Sequence, residues 1–279
     1  MCKLFLSFHY PTAKALIKKF LKHGNEEHLE YGYGIGSIPN KKEEWEIYKC
    51  NCFHMTDPNA KKVLDNMNSA IMVGHIRNIY HENMSPQQIC DEIRIENTHP
   101  FKFGDSIFMH HGDLFLEYKD ELNNYQLGHN DKQFKTAVSG LKKHIYSDLK
   151  KQIKGKTDSE LLFYILLSIQ SNLISEHSFT EKDAIIKSFI VLNVITDKLK
   201  ISNSSNIIFA NKQYIAVAKI HRNNSNKELK NPDLFMKQNH SGGIYFSNLK
   251  LSNSTQLVEK NTLYIIDIKL GTIENFTFR

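Results

Sequence analysis

The order in which hydrophobic periodicities follow one another restricts this fold more than any other feature of the chain. Alternating, β-type segments occupy both ends, and two long helical stripes lie between them. Strands are expected over residues 3–9, 31–38, 45–52, 69–77 and 105–109, and again over 206–210, 214–220, 243–246, 263–268 and 273–278. The clearest helices cover 158–172 and 180–198; in the first, Leu161, Leu162, Ile165, Leu166 and Ile169 form a broad apolar stripe. Shorter helices open at Pro11-Thr12, Asp57-Pro58 and Ser85-Pro86, and a Lys-rich one is expected over 132–154. Residues 221–239 read as a long exposed loop. No repeat and no Pro/Gly/Ser-rich linker interrupts this order. The expectation is one α+β domain over residues 1–279, a sandwich rather than a doubly wound sheet.

Composition excludes several classes. A hydrophobic content of 41% in 279 residues supports a sizeable core and rules out a disordered or collagen-like chain. Against 30 acidic side chains stand 36 basic ones, a mild net charge of +6. Lys142, Lys143, Lys150, Lys151, Lys154 and Lys156 recur near helical spacing, but no Arg or aromatic residue is interleaved to reach bases. They read as a solvated helix face, and no nucleic acid is expected as partner. The longest apolar runs, 161–169 and 189–195, fall well short of the roughly 18 residues that cross a bilayer. One Lys before Leu4, Phe5 and Leu6 does not make a signal peptide. Cys2, Cys50, Cys52 and Cys90 give no disulfide framework, so a reducing, cytoplasmic setting without a membrane is expected. Cys50-x-Cys52 with His54 lacks the four-ligand spacing of a thiolate metal site and reads as core packing. Gly32, Gly34 and Gly36 do not open a helix as a dinucleotide loop would, and no cofactor or metal is expected.

Cys2 carries the most chemistry. A small residue behind Met1 permits removal of the initiator, which leaves a thiol and a free α-amine on one residue, nucleophile and base together. An incidental buried cysteine is the plain alternative. Four further segments bear on the choice: Tyr31-Gly32-Tyr33-Gly34-Ile35-Gly36, His75-Ile76-Arg77 at a strand end, Asn97-Thr98-His99-Pro100, and His110-His111-Gly112. A fifth, Thr157-Asp158-Ser159-Glu160, opens the first long helix. In this order and spacing the set resembles the class II glutamine amidotransferases, and the stretch 245–268 is similar to the closing strands of their stand-alone members. The likeness covers nearly the whole chain. It implies an N-terminal-nucleophile (Ntn) hydrolase fold, a four-layer α/β/β/α sandwich of two mostly antiparallel sheets.

The same resemblance implies cleavage of a γ-glutamyl amide, in glutamine or in a γ-glutamyl peptide such as glutathione. Cys2 attacks, and a γ-glutamyl thioester forms and is hydrolysed. Arg77 matches the arginine that grips the substrate α-carboxylate, for which a planar guanidinium is suited. Asp158 matches the partner of the α-ammonium, a role compatible with first-turn placement on a helix. Gly112 matches the glycine whose N–H stabilises the oxyanion. His111 stands where the family has Asn, so the side-chain donor is expected to be an imidazole. Asn97, His99 and Pro100 match a motif read as shaping the site floor. Tyr31 replaces a usual Asp, and Tyr80 follows the arginine where small residues are usual, reshaping the substrate end. A separate synthase or accessory subunit is one expected partner, since ammonia needs a consumer. A catalytically silent relative that binds glutamine or a protein partner is the competing reading, and His111 is its main support.

Overall fold

The computed structural model describes residues 2–26, 31–39, 44–67, 69–79, 84–119, 125–128, 131–225 and 227–278. Strand β1 (Lys3–Phe8) runs into helix α1 (Ala13–Glu26), and β2 (Tyr33–Ile38) with β3 (Glu46–Cys50) forms an antiparallel pair. Helix α2 (Ala60–Asn66) leads to β4 (Ile71–Ile76), α3 (Pro86–Glu92), a 3₁₀ turn at Ile95–Asn97, then β5 (Phe101–Phe103) and the long β6 (Ser106–Lys119). After β7 (Tyr125–Gly128) come α4 (Asp131–Lys142), α5 (Ser147–Lys150), α6 (Asp158–His177) and α7 (Glu181–Lys198). The remainder is β: β8 (Ile201–Ala210), β9 (Tyr214–Arg222), β10 (Phe235–Gln238), β11 (Ile244–Ser247), β12 (Gln256–Leu257), β13 (Thr262–Asp267) and β14 (Ile273–Thr277).

These strands form two sheets, ordered β12-β10-β11-β1-β4-β2-β3 and β14-β13-β9-β8-β6-β5, with β7 paired to β6. Every described pairing is antiparallel. Three apolar cores separate the layers. Leu4, Leu6, Val73, Ile107, Met109, Ile208 and Val217 fill the space between the sheets. Ile17 and Phe20 of α1 pack with Phe5, Tyr33 and Tyr245 on the outer face of the first sheet. Leu162, Phe163, Ile165, Leu166, Ile185 and Phe189 of α6 and α7 cover the outer face of the second, against Phe108, Ile207 and Phe209. Each such side chain, fully buried, contributes about 1.5–3 kcal/mol. This is the α+β four-layer sandwich that the order of periodicities and the family resemblance led us to expect.

Four local expectations change. The strand expected to stop before the histidine pair continues through it: β6 stays paired with β8 from Ile107↔Ala210 to Leu116↔Ile201, because β8 is buried along its whole length and offers an unbroken ladder. The helix expected over 132–154 is broken after α4. There the Tyr146 N–H donates to Ser168 Oγ of α6 (3.1 Å) instead of continuing the helical ladder. The loop expected over 221–239 contains β10, which pairs with both β11 and β12. Cys50 and Cys52 are joined by a disulfide, a local bond rather than a framework, which replaces both the core-packing and the metal readings of that pair. No helix among the described residues is long and apolar enough to cross a membrane.

The alternate glycines of β2 have a steric cause. A Cβ at Gly34 would lie 1.9 Å from the His99 carbonyl oxygen and 2.9 Å from the Pro100 ring, so the Asn97–Pro100 segment rests directly on the strand. Gly34 pairs with His75, one strand away from Cys2's own strand, so this contact sets the height of the cavity described below. Gly34→Ala is therefore expected to destabilise the fold by about 3 kcal/mol or more. A thermal or denaturant midpoint would measure it; a midpoint equal to that of the parent chain would refute the close approach.

Candidate active site

Cys2 precedes β1, Arg77 follows β4, and these two strands are neighbours in the sheet, so the thiol and the guanidinium emerge at the same end. The Arg77 N–H is held by the Gly32 carbonyl (2.8 Å), which keeps the chain extended past the strand end. Opposite them lie the middle of β6 and the first turn of α6. Together they enclose a cavity of about 280 Å³ whose lining includes Cys2, Arg77, Glu92, His110, Gly112, Asp113 and Asp158. Thr157 caps α6 by accepting from the Glu160 N–H (3.2 Å), which sets Asp158 in the first turn at the cavity wall. Glu160 does not close a capping box. Its buried carboxylate reaches back to the N–H groups of Lys154 (3.0 Å) and Gly155 (2.7 Å) and so shapes the segment that enters the helix. Asn97 braces the other side: its Nδ2 donates to the Asp91 and Glu92 carbonyls and its Oδ1 accepts from Lys156 N–H (3.0 Å).

The electrostatics of this cavity follow from burial. The Cys2 thiol is pushed up by burial, while the Asn78 backbone and the Arg77 charge pull it back down. Its sulfur accepts from Asn78 N–H (3.3 Å) and approaches the Asn78 carbonyl (3.4 Å). At neutral pH it is therefore a thiol that needs a base. Asp113 is pushed up to about 7, first by burial and then by the neighbouring Asp158. Asp158 accepts from Leu114 N–H (3.3 Å) and Ser159 Oγ (3.3 Å). The cavity thus presents one guanidinium on one wall and a close carboxylate pair on another.

Four of the five residues singled out from sequence, Cys2, Arg77, Gly112 and Asp158, line this one cavity. His111 is absent from its lining. Alternation along β6 turns Phe108 and His110 toward α6, and turns Met109 and His111 the other way, into the space between the sheets. There His111 is 4% exposed, influenced by Asn248 and Lys3, with both ring nitrogens lacking a well-formed hydrogen bond. Of this adjacent pair it is His110 that lines the cavity, as His99 also does, and it is held between Ser159 Oγ (2.9 Å) and Ser205 Oγ (2.7 Å). Gly112 has φ +148°, and a Cβ there would lie 2.2 Å from the Ser204 carbonyl oxygen, so no other residue fits. Sequence reading missed Asp113 and Glu92. Asp113 directly follows Gly112 in β6 and was within reach of a strand-alternation argument, whereas Glu92 carried no signal. Tyr80 and Met1 lie outside the described residues.

No family model matches the sequence, and no curated protein matches it. Solved structures do. A glutamine aminotransferase class-II domain protein from Silicibacter pomeroyi aligns over 100% of both chains with a TM-score of 0.60 and 16% identity. The glutamine phosphoribosylpyrophosphate amidotransferase of B. subtilis aligns with a TM-score of 0.61 and 15% identity. An allosteric regulatory enzyme of purine biosynthesis gives 0.59 and 14%. Both cover all of this chain and 49% of their own, so this chain spans about half the length of those two enzymes. At such identities the likeness is one of fold: this chain shares the two-sheet sandwich of those solved structures.

The buried histidines make the structure acid-sensitive. Burial holds His75 and His111 down at about 3, and drives His99 and His110 in the same direction. Unfolded, each titrates near 6.5, so below that pH the unfolded chain binds more protons and stability drains away toward pH 3. Asp113 acts oppositely, adding stability below about pH 4 that is lost as pH rises through about 7. Burial lowers His54 and His221 as well and raises Glu181, so the histidines outweigh the raised carboxylates and the melting temperature is expected to fall steadily from pH 6.5 to pH 4. His111→Asn removes one of these histidines and should flatten that slope; an unchanged slope would show that His111 is not buried neutral.

Proposed function

We propose that this chain is a class II glutamine amidotransferase-like hydrolase that cleaves γ-glutamyl amide bonds with Cys2 as N-terminal nucleophile. The observation that supports it best is convergence: residues from four separate segments, Cys2, Arg77, Gly112 and Asp158, line a single cavity. Removal of Met1 would free the Cys2 α-amine, which titrates near 7.7–8.0 and can take the proton from a thiol that burial keeps protonated. The sulfur then attacks the γ-carbonyl, and the amine returns the proton to the departing ammonia or amine. Water hydrolyses the γ-glutamyl thioester, and glutamate leaves. Oxyanion stabilisation is assigned to the Gly112 N–H, the site's glycine that no other residue can replace. His111, expected as second donor, contributes to this reading only through the packing beneath the strand.

Arg77 and Asp158 would hold the α-carboxylate and α-ammonium of the glutamyl head. Asp113 joins Asp158 at the ammonium, because an arriving cation offsets both the burial and the Asp158 repulsion that push Asp113 up to about 7. The substrate is glutamine or a γ-glutamyl peptide; with glutamine, a synthase or accessory subunit docked over the cavity would consume the ammonia. No cofactor or metal takes part, and we place the activity in the cytoplasm. A silent, glutamine-binding relative is the second reading, favoured by the position of His111 away from the cavity.

Treatment with a glutamine-analogue electrophile followed by intact mass measurement separates the two. Loss of Met1 and a single adduct on Cys2 is expected; a retained initiator or an unmodified thiol would reject the enzyme. Cys2→Ala should lower glutamate release by at least about 10⁴-fold. Asp113→Asn should raise KM about tenfold with a smaller effect on kcat, and glutamate release from glutamine or glutathione reads both values. An unchanged KM would remove Asp113 from the head-group site.

A further inference from the structure

The guanidinium that would read the substrate carboxylate already has a carboxylate on it. Arg77 Nη2 lies 2.8 Å from Glu92 Oε2, and Nη1 donates to the Glu92 backbone carbonyl. Arg77 is 5% exposed, so this ion pair is shielded on the arginine side. Glu92 is itself among the residues lining the cavity, and its side chain is 33% exposed. It stands where an α-carboxylate has to arrive.

The element that carries Glu92 is weakly anchored. Helix α3 buries none of its residues. Its capping box, Ser85 with Gln88, is internal to the helix and ties it to nothing else. Among the described residues its links to the body are polar and gather at its C-terminal end. They are Arg77 with Glu92, Asn97 Nδ2 to the Asp91 and Glu92 carbonyls (3.2 and 3.1 Å), and Lys156 Nζ near Asp91 (4.0 Å). A helix without an apolar face against the core can shift at little cost in burial. A buried arginine, by contrast, cannot be left without an acceptor. One carboxylate must therefore replace another.

Resting on the function proposed above, we infer that Glu92 is a built-in competitor for Arg77 and a determinant of substrate affinity. Its carboxylate holds the guanidinium until the substrate α-carboxylate takes its place, and α3 loosens as Glu92 is released. Each glutamyl ligand binds against this displacement. A ligand that also engages Asp113 and Asp158 through its ammonium offsets it, which makes the site respond to an amino-acid head rather than to any carboxylate. Arg77 itself never lacks an anionic partner along this exchange, so its burial is maintained throughout.

The test is the affinity of the product, L-glutamate, measured by calorimetry on the full chain and on Glu92→Gln and Glu92→Ala. Both variants are expected to bind about fivefold more tightly, the scale of a partly exposed ion pair. Hydrogen exchange on the parent chain gives a second reading that needs no variant: glutamate should speed exchange of amides 86–92. Weaker or unchanged binding in Glu92→Ala would overturn the inference and make Glu92 a brace that orients Arg77. Slowed or unchanged exchange would overturn the release of α3. If Cys2 takes the electrophile while glutamate affinity is unmoved by the variants, this inference alone fails. If Cys2 stays unmodified and no chain binds glutamate, the proposed function fails and this inference with it.

Discussion

A guanidinium withdrawn from water at the end of a central strand organises the rest of the site. Arg77 can stay 5% exposed only because acceptors converge on it, and those acceptors come from α3, a short helix with no apolar anchor. Its N–H is tied to the Gly32 carbonyl, which fixes where the side chain leaves the sheet. The Coulombic pull of the same charge reaches Cys2 and joins the Asn78 backbone hydrogen bond in opposing the upward push of burial on the thiol. One cation thus positions a helix end, partly offsets the desolvation of the Cys2 thiol, and defines one wall of the cavity. On the other wall Asp113 and Asp158 crowd each other, and an ammonium is the natural relief of that repulsion.

The scaffold around these charges is nearly all β-ladder and close backbone contact. β1 and β4 are neighbours in one sheet, and β6 and β8 in the other, so the catalytic candidates sit on rigid strands or their immediate ends. The Asn97–Pro100 segment rests on Gly34, and the Gly112 backbone rests on the Ser204 carbonyl. Neither approach leaves room for a side chain. At the cavity, His110 is locked between two serine hydroxyls, while the rings of His75 and His99 lie 4.1 Å apart at a tilt of 39°, all neutral by burial. Precision at the site therefore comes from packed backbone.

Much of this was legible beforehand, for reasons that differ by residue. The long helices and the alternating strands were readable because each buries a face, and periodicity reports burial. Gly34 was readable because alternate glycines in a strand mark an intruding neighbour, whereas Gly112 was singled out through the family resemblance. What escaped depended on partners distant in sequence. The continuation of β6 through His110-His111-Gly112 is imposed by β8, and the break after α4 by a serine on α6. β10 exists because β11 and β12 flank it. Glu92 could not be found at all, since an acid near the end of a short polar helix looks like any solvated side chain.

The sequence alone determined the residue types and spacings that bring a thiol and a guanidinium to strand ends and an acid to the first turn of a helix, because those are local properties of hydrophobic pattern and capping chemistry. Tertiary structure decided which side of each strand faces which layer. Through that parity it turned His110 toward the cavity and buried His111 between the sheets, since one residue along a strand exchanges faces. It also decided that Asp113 lies beside Asp158 and Glu92 beside Arg77, pairings across 45 and 15 residues that only the packed chain can make.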